Sequence, residues 1–361
     1  MVFSPCKAER VALLQANSAN LDLLRTIAVS FVVVFHVLLV FQTTPYGLMK
    51  LGYWGVLMFF VHTSVVLAAS LDRLSAEPSV RTYAIFLARR CFRILPLSVL
   101  VVLIIVASGI PVAHLRHGTF LSIPIDSETI VGNLLLVQNL VGKDSLEAPL
   151  WTLPYEMEMY LFLPALFWFS LRIKNSFAVV GAWFFVAVLM LFLHNTGWDF
   201  PTFVPCFLVG IVAYRLARDA KVTLPYWGWP ILLIVLTAAF IIFPRYKMNW
   251  VCCLIIGLSI PVFSEIPDGV FRRTCHIVSR YSYGIYLVHF IGLWLAFSYL
   301  RTIPNWERWA VFLAATASAS FLLYHAIEAP FIAFGKRITG SWSARADADS
   351  LDRAAAPDLL R

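Results

Sequence analysis

Of 361 residues, 60% are hydrophobic and 13% are charged, where a soluble domain carries roughly 25% charged side chains. That balance excludes an ordinary water-soluble globule, whose core could not absorb so much apolar surface. The formal net charge of +8 does not call for nucleic acid, because basic loops facing anionic lipid account for it.

Residues 1–20 are mixed polar and read as a cytoplasmic N-terminal segment. Ten apolar runs follow, at 21–41, 53–70, 94–113, 151–171, 177–194, 200–217, 226–243, 249–265, 282–300 and 307–327. Their lengths approach the roughly 20 residues that cross a hydrocarbon layer as helix. The first run is too long for the core of a cleaved signal peptide and reads as a retained helix. Asp72 to Arg93 is polar and Arg-rich, predicted to lie partly helical on the membrane surface. His114 to Leu150 is the longest loop, and its apolar stretch Ile130–Val141 is too short to span, so it is predicted to be re-entrant or interfacial. From Gly340 the chain is rich in Ala, Asp, Ser and Arg and is predicted to be disordered. The expected fold is therefore an all-α integral membrane protein of about ten transmembrane helices, with a membrane domain over 21–335 and a cytoplasmic tail over 336–361.

Of the 28 Lys and Arg, Arg25 and Arg308 sit at run ends. With the N-terminus inside, six lie in outer loops (Lys50, Arg116, Lys143, Arg245, Lys247, Arg301) and twenty in inner segments. This asymmetry predicts that both termini are cytoplasmic. The cysteines form no CxxC pair and no metal-ligand spacing, so neither a disulfide framework nor a metal site is expected.

Ionisable groups inside apolar runs are costly and are candidates for function. Arg25 and His36 are eleven residues apart on the first helix, which places them on one face, about 16 Å apart along its axis. As purely structural groups they would be a snorkelling anchor and an interhelical hydrogen-bond partner. Arg89, Arg90 and Arg93 crowd the inner mouth of the third helix. Guanidinium forks bind phosphate oxygens there as readily as they obey the positive-inside rule. In Trp151–Tyr160, Glu156 lies about two turns from the outer face. That depth is comparable with His36, so a pairing between the two is expected, with an ion pair to Arg or Lys as the alternative. His62 and His289 read as interhelical hydrogen-bond groups.

Taken in order, these segments resemble acyltransferase family 3 of the membrane-bound O-acyltransferases. The resemblance runs through Leu21-Asp22-Leu23-Leu24-Arg25 with the spacing to His36, Trp54–Val61, Arg90-x-x-Arg93-Ile94-x-Pro96, and Trp151-Thr152-Leu153 with Glu156 and Tyr160. It continues through Phe207–Gly210, Tyr281–His289 and Ile327–Phe331. The chain departs from the family pattern at His62-Thr63-Ser64-Val65 and at Met157. The resemblance implies transfer of an acyl group, often acetyl from acetyl-CoA as co-substrate, to a carbohydrate or lipid-linked acceptor. It also implies a bacterial inner membrane, with no resident cofactor. By that match Arg25, His36, Arg90 and Arg93 are functional residues, the arginines as binders of the acyl-CoA donor. On chemical grounds His36 is expected to be the general base with Glu156 fixing its tautomer, direct transfer and an acyl-histidine intermediate being equally allowed, and Trp151, Tyr160 and His289 are supporting site residues. A transporter or flippase of a lipid-linked or small substrate is the competing reading, since intramembrane Arg, His and Glu also build substrate paths.

Overall fold

The computed structural model describes residues 18–42, 47–74, 78–193, 199–219, 223–243 and 246–355, with only the backbone of 219, 246–247 and 343–355. The helices are α1 (Ala19–Phe41), α2 (Leu51–Leu74), α3 (Val80–Ser108), α4 (Ser127–Leu135), α5 (Leu153–Arg172) and α6 (Ser176–Leu193). There follow α7 (Phe200–Asp219), α8 (Gly228–Ile242), α9 (Tyr246–Ser259), α10 (Val270–Trp294), α11 (Asn305–Leu323) and α12 (Ala329–Ala355). Among the described residues seven helices are long and apolar enough to cross a membrane, while α8 and Met248–Ser259 are shorter apolar helices. The protein is an all-α integral membrane protein. α5 is not among the seven, and carries Glu156, Glu158 and Arg172.

The third apolar run is displaced from its predicted position. The Arg-rich stretch expected on the membrane surface is the first half of α3, which starts where Ser79 accepts a hydrogen bond from Thr82 N at 3.0 Å. It stops at Gly109, whose φ of 65° lets its N–H reach Ile105 O at 2.9 Å, and Pro111 bars resumption. The long loop contains an antiparallel hairpin (His114–Arg116 with Thr119–Leu121) and α4, which covers the first half of Ile130–Val141. The segment expected to be disordered instead continues α12 as helix through Ala355, since its Ala and Arg are good helix formers. The N-terminal segment up to residue 17 and residues 356–361 lie outside the described residues.

Close helix approach is built with glycine, as packing without a hydrophobic driving force requires. A Cβ on Gly210 would stand 2.2 Å from the Ser64 carbonyl carbon and 2.3 Å from Val65 N, so α7 meets α2 backbone to backbone. A Cβ on Gly55 would meet Ala28 O at 2.5 Å, which fixes α2 against α1. Trp54, fully buried, donates from Nε1 to Thr237 at 3.0 Å and ties α8 to this pair. Glu265 closes the N-terminal end of α1, accepting from Ser18 Oγ at 2.6 Å and Asn20 N at 3.0 Å.

Gly210→Ala is expected to cost about 1–3 kcal/mol, because two of the three atoms it meets are backbone and cannot rotate away. A thermal melt in detergent unchanged from wild type would contradict this contact.

Candidate functional site

α1 and α10 run side by side, and Asp22, Arg25, Thr26 and His36 of α1 face this neighbour. Asp22 Oδ2 accepts from His276 Nδ1 at 2.8 Å, and Arg25 Nε donates to Ser282 Oγ at 2.5 Å. Further along, His36 Nδ1 lies 2.9 Å from His289 Nε2. Arg25 and His36 thus sit on one face, but they open into different cavities.

The inner cavity, of about 80 Å³, is lined by Arg25, His62, Arg90, Arg93, Glu156, Tyr160, Ser282, Tyr283 and Tyr286. Glu156 accepts a short hydrogen bond from the Tyr160 hydroxyl and lies within electrostatic reach of Arg25, Arg93 and Arg90. Arg90 donates to Ser70 Oγ at 3.3 Å and stands over the Phe86 ring, while its Nε is buried with no hydrogen-bond partner among the described residues. A second chamber of about 320 Å³ shares Arg25, His62, Val66 and Arg93 with this one. It extends past Asp22, His276, Arg280 and Glu328 toward the inner end of α1. Arg280 Nη2 donates to His276 Nε2 at 2.9 Å, completing an Asp22–His276–Arg280 chain.

The outer cavity, of about 620 Å³, is lined by His36 together with loop residues His114, Gln138, Asn139, Lys143, Asp144 and Ser145, and by Trp151, Tyr155 and Asp199. It has no lining residue in common with the inner cavity. The division is made by the entry to α5. Thr152, Glu156 and Tyr160, one turn apart, face the arginines, whereas Trp151 and Tyr155 face the outer cavity. Between the two, the Tyr286 hydroxyl donates to Pro149 O at 2.8 Å and lies 2.8 Å from Thr152 Oγ1.

The expected pairing of His36 with Glu156 is therefore not present. A short 3₁₀ turn (Ala148–Thr152) precedes α5, so Glu156 falls in its first turn and points to the arginines. The ring partner of His36 is His289 instead. Arg90 and Arg93 reach the inner cavity, while Arg89 turns away to donate to Thr339 Oγ1 at 2.8 Å. Tyr286 and Glu328 lie in segments that carry the family resemblance but were not singled out as site residues, and His276 and Arg280 were passed over. His276 and Arg280 are one turn apart, and Tyr286 lies one turn before His289, so helical spacing from a singled-out residue was the available signal.

In the outer loop, Lys143 bridges Asp126 at 2.7 Å and Glu128 at 3.1 Å. The hydrogen bond holds the Asp126 carboxyl below its ordinary range and raises the Lys143 ammonium. Glu147 is fully buried, and neither carboxyl oxygen has a hydrogen-bond partner among the described residues. Burial pushes this carboxyl well above its ordinary value.

The acyltransferase family model, described as an acyltransferase domain, matches residues 18–325. The chain belongs to acyltransferase family 3. This membrane acyltransferase matches no curated protein and no solved structure. The match spans α1 to the turn before α12, so the inner and outer cavities lie within the family domain, while the second chamber also takes Glu328 and Ile332 from beyond it.

Glu147 gives this acyltransferase a pH-dependent stability. Folded Glu147 keeps its proton where the unfolded chain has lost it, so this group makes stability fall as pH rises above the ordinary carboxyl value. Glu147→Gln removes that dependence. Its melting temperature should gain on wild type between about pH 5 and about pH 8, and a pH-independent difference would refute the assignment.

Proposed function

We propose that this acyltransferase moves an acyl group, acetyl from acetyl-CoA, onto a hydroxyl of a cell-surface or exported carbohydrate, with His36 as general base. The observation that carries this reading is the division of the polar interior into an arginine-lined inner cavity and an amide-lined outer cavity holding His36. A thioester donor with a polyphosphate head and a neutral hydroxylated acceptor differ in the same way.

On the donor side, Arg25, Arg90 and Arg93 offer guanidinium forks to phosphate oxygens. The unpartnered Arg90 Nε is a donor in need of such an acceptor. Glu156 serves here as counter-charge to the arginines, with Tyr160 holding its carboxylate.

On the acceptor side, Gln138 Nε2 donates to Leu150 O at 3.3 Å, and Asn139 Nδ2 donates to Glu158 Oε1 at 2.5 Å. Both partners only accept, so the amide orientations follow from them. Gln138 Oε1 and Asn139 Oδ1 are left buried without partners, a cost that hydroxyl donors at the cavity wall would offset. Trp151, 36% exposed, adds an aromatic face for the apolar side of a sugar ring.

A hydroxyl is a weak nucleophile until its proton is taken; of the two imidazoles that line this cavity, His36 is the one on a membrane-spanning helix and His114 is on the exposed loop hairpin. The excess of basic residues in inner segments supports both termini being cytoplasmic, and the family points to a bacterial inner membrane. The arginine cavity then faces the cytoplasmic donor and the His36 cavity the external acceptor.

The test supplies acetyl-labelled acetyl-CoA to native membranes containing wild type or His36→Ala. Label should enter a glycan or lipid-linked fraction with wild type alone. Equal labelling would remove His36 from the mechanism, and no label from either folded protein would turn the reading toward transport. Separately, Arg90→Ala and Arg93→Ala should each weaken acetyl-CoA binding by about tenfold or more, as loss of a charged hydrogen bond does. Unchanged affinity by calorimetry would detach these arginines from the donor.

A further inference from the structure

We infer that His289 is a positioning residue for the proposed reaction: it fixes the tautomer of His36 so that Nε2 of His36 is the atom that takes the acceptor's proton. This rests on the reading of His36 as general base. The argument follows the hydrogen bonds outward from α10. His289 is fully buried, and its Nδ1 lies 2.8 Å from Tyr286 O and 3.0 Å from Ile285 O. A carbonyl oxygen accepts and never donates, so Nδ1 carries the hydrogen. A neutral imidazole has a single N–H, and Nε2 of His289 is therefore a bare lone pair.

That lone pair faces His36 Nδ1 at 2.9 Å. Two lone pairs at this distance would repel, so His36 must place its own hydrogen on Nδ1. Nε2 of His36 is then unprotonated. Because Nδ1 is turned to His289, which does not line the outer cavity, Nε2 is the nitrogen left facing the acceptor.

The transfer balances on this arrangement. The acceptor oxygen forms its bond to the acyl carbon as the carbon–sulfur bond breaks. The hydroxyl proton goes to His36 Nε2 and from there to the departing thiolate, which leaves as a thiol. While His36 is an imidazolium, its Nδ1–H still points at the His289 lone pair, which stabilises the charge. In Ser-His-Asp sites a carboxylate orients the base. A second neutral imidazole does this without placing a full negative charge in the apolar interior, where an ion is costly.

The test compares His289→Leu with His289→Gln in purified, folded protein, because a glutamine carbonyl can accept from Nδ1–H and leucine cannot. His289→Leu should lose about 100-fold or more in kcat, the scale of general-base catalysis, with KM for acetyl-CoA little changed. His289→Gln should recover to within about tenfold of wild type. Equal losses in both variants, or full activity in His289→Leu, would overturn the inference.

A second readout needs no substrate. Nitrogen NMR of histidine-labelled protein, with His36 assigned by its absence in His36→Ala, should show Nδ1 protonated and Nε2 bare in wild type. The reverse tautomer would overturn the inference even if acyl transfer is confirmed. Full activity in His36→Ala would sink the general-base reading and this inference with it.

Discussion

Inside a hydrocarbon layer no water is at hand, so every charged or polar side chain there must find its partner within the protein. The interior of this acyltransferase is arranged around that requirement. Arg25, Arg90 and Arg93 gather round Glu156 and Tyr160, while His36 finds His289. Such groups can meet only if the helices carrying them approach closely. That accounts for Gly55 under the α1 backbone and Gly210 under the α2 backbone, where a methyl group would not fit. Catalytic polarity and small-residue packing are thus two sides of one constraint.

The same constraint divides the interior. At the entry to α5, two adjacent stripes of side chains face opposite chambers, and between them the Tyr286 hydroxyl bonds Pro149 and Thr152. On the proposed reading, this division keeps a charged donor head and a neutral acceptor in environments of different character. It also keeps the arginine charges apart from His36, whose ring is surrounded by Phe35, Phe290 and His289. A base that must shed its proton again after each transfer benefits from neutral neighbours.

Much of the helix inventory was legible from hydrophobic length alone, because a crossing needs a minimum apolar run whatever its neighbours are. The error at α3 is instructive. Its first half is rich in Arg, so hydropathy placed it on the membrane surface apart from the third apolar run, yet Ser79 and Gly109 had marked the true ends in the sequence. Capping chemistry read more accurately than composition there. The shared face of Arg25 and His36 was equally legible, since helical periodicity is a local property.

What the sequence determined by itself was therefore local: which stretches are apolar helices, which polar residues they cannot avoid burying, and which of these lie on one stripe of one helix. The tertiary structure alone decided the partners. Glu156 and His36 were matched by depth, but depth says nothing of the direction in which a side chain leaves its helix. A turn of 3₁₀ helix before α5 sends Glu156 to the arginines and leaves His36 to His289, which is 253 positions away in the chain. A hydrogen bond depends on the relative rotation of two helices about their axes. That rotation is set by the packing of all their neighbours, and no single segment encodes it.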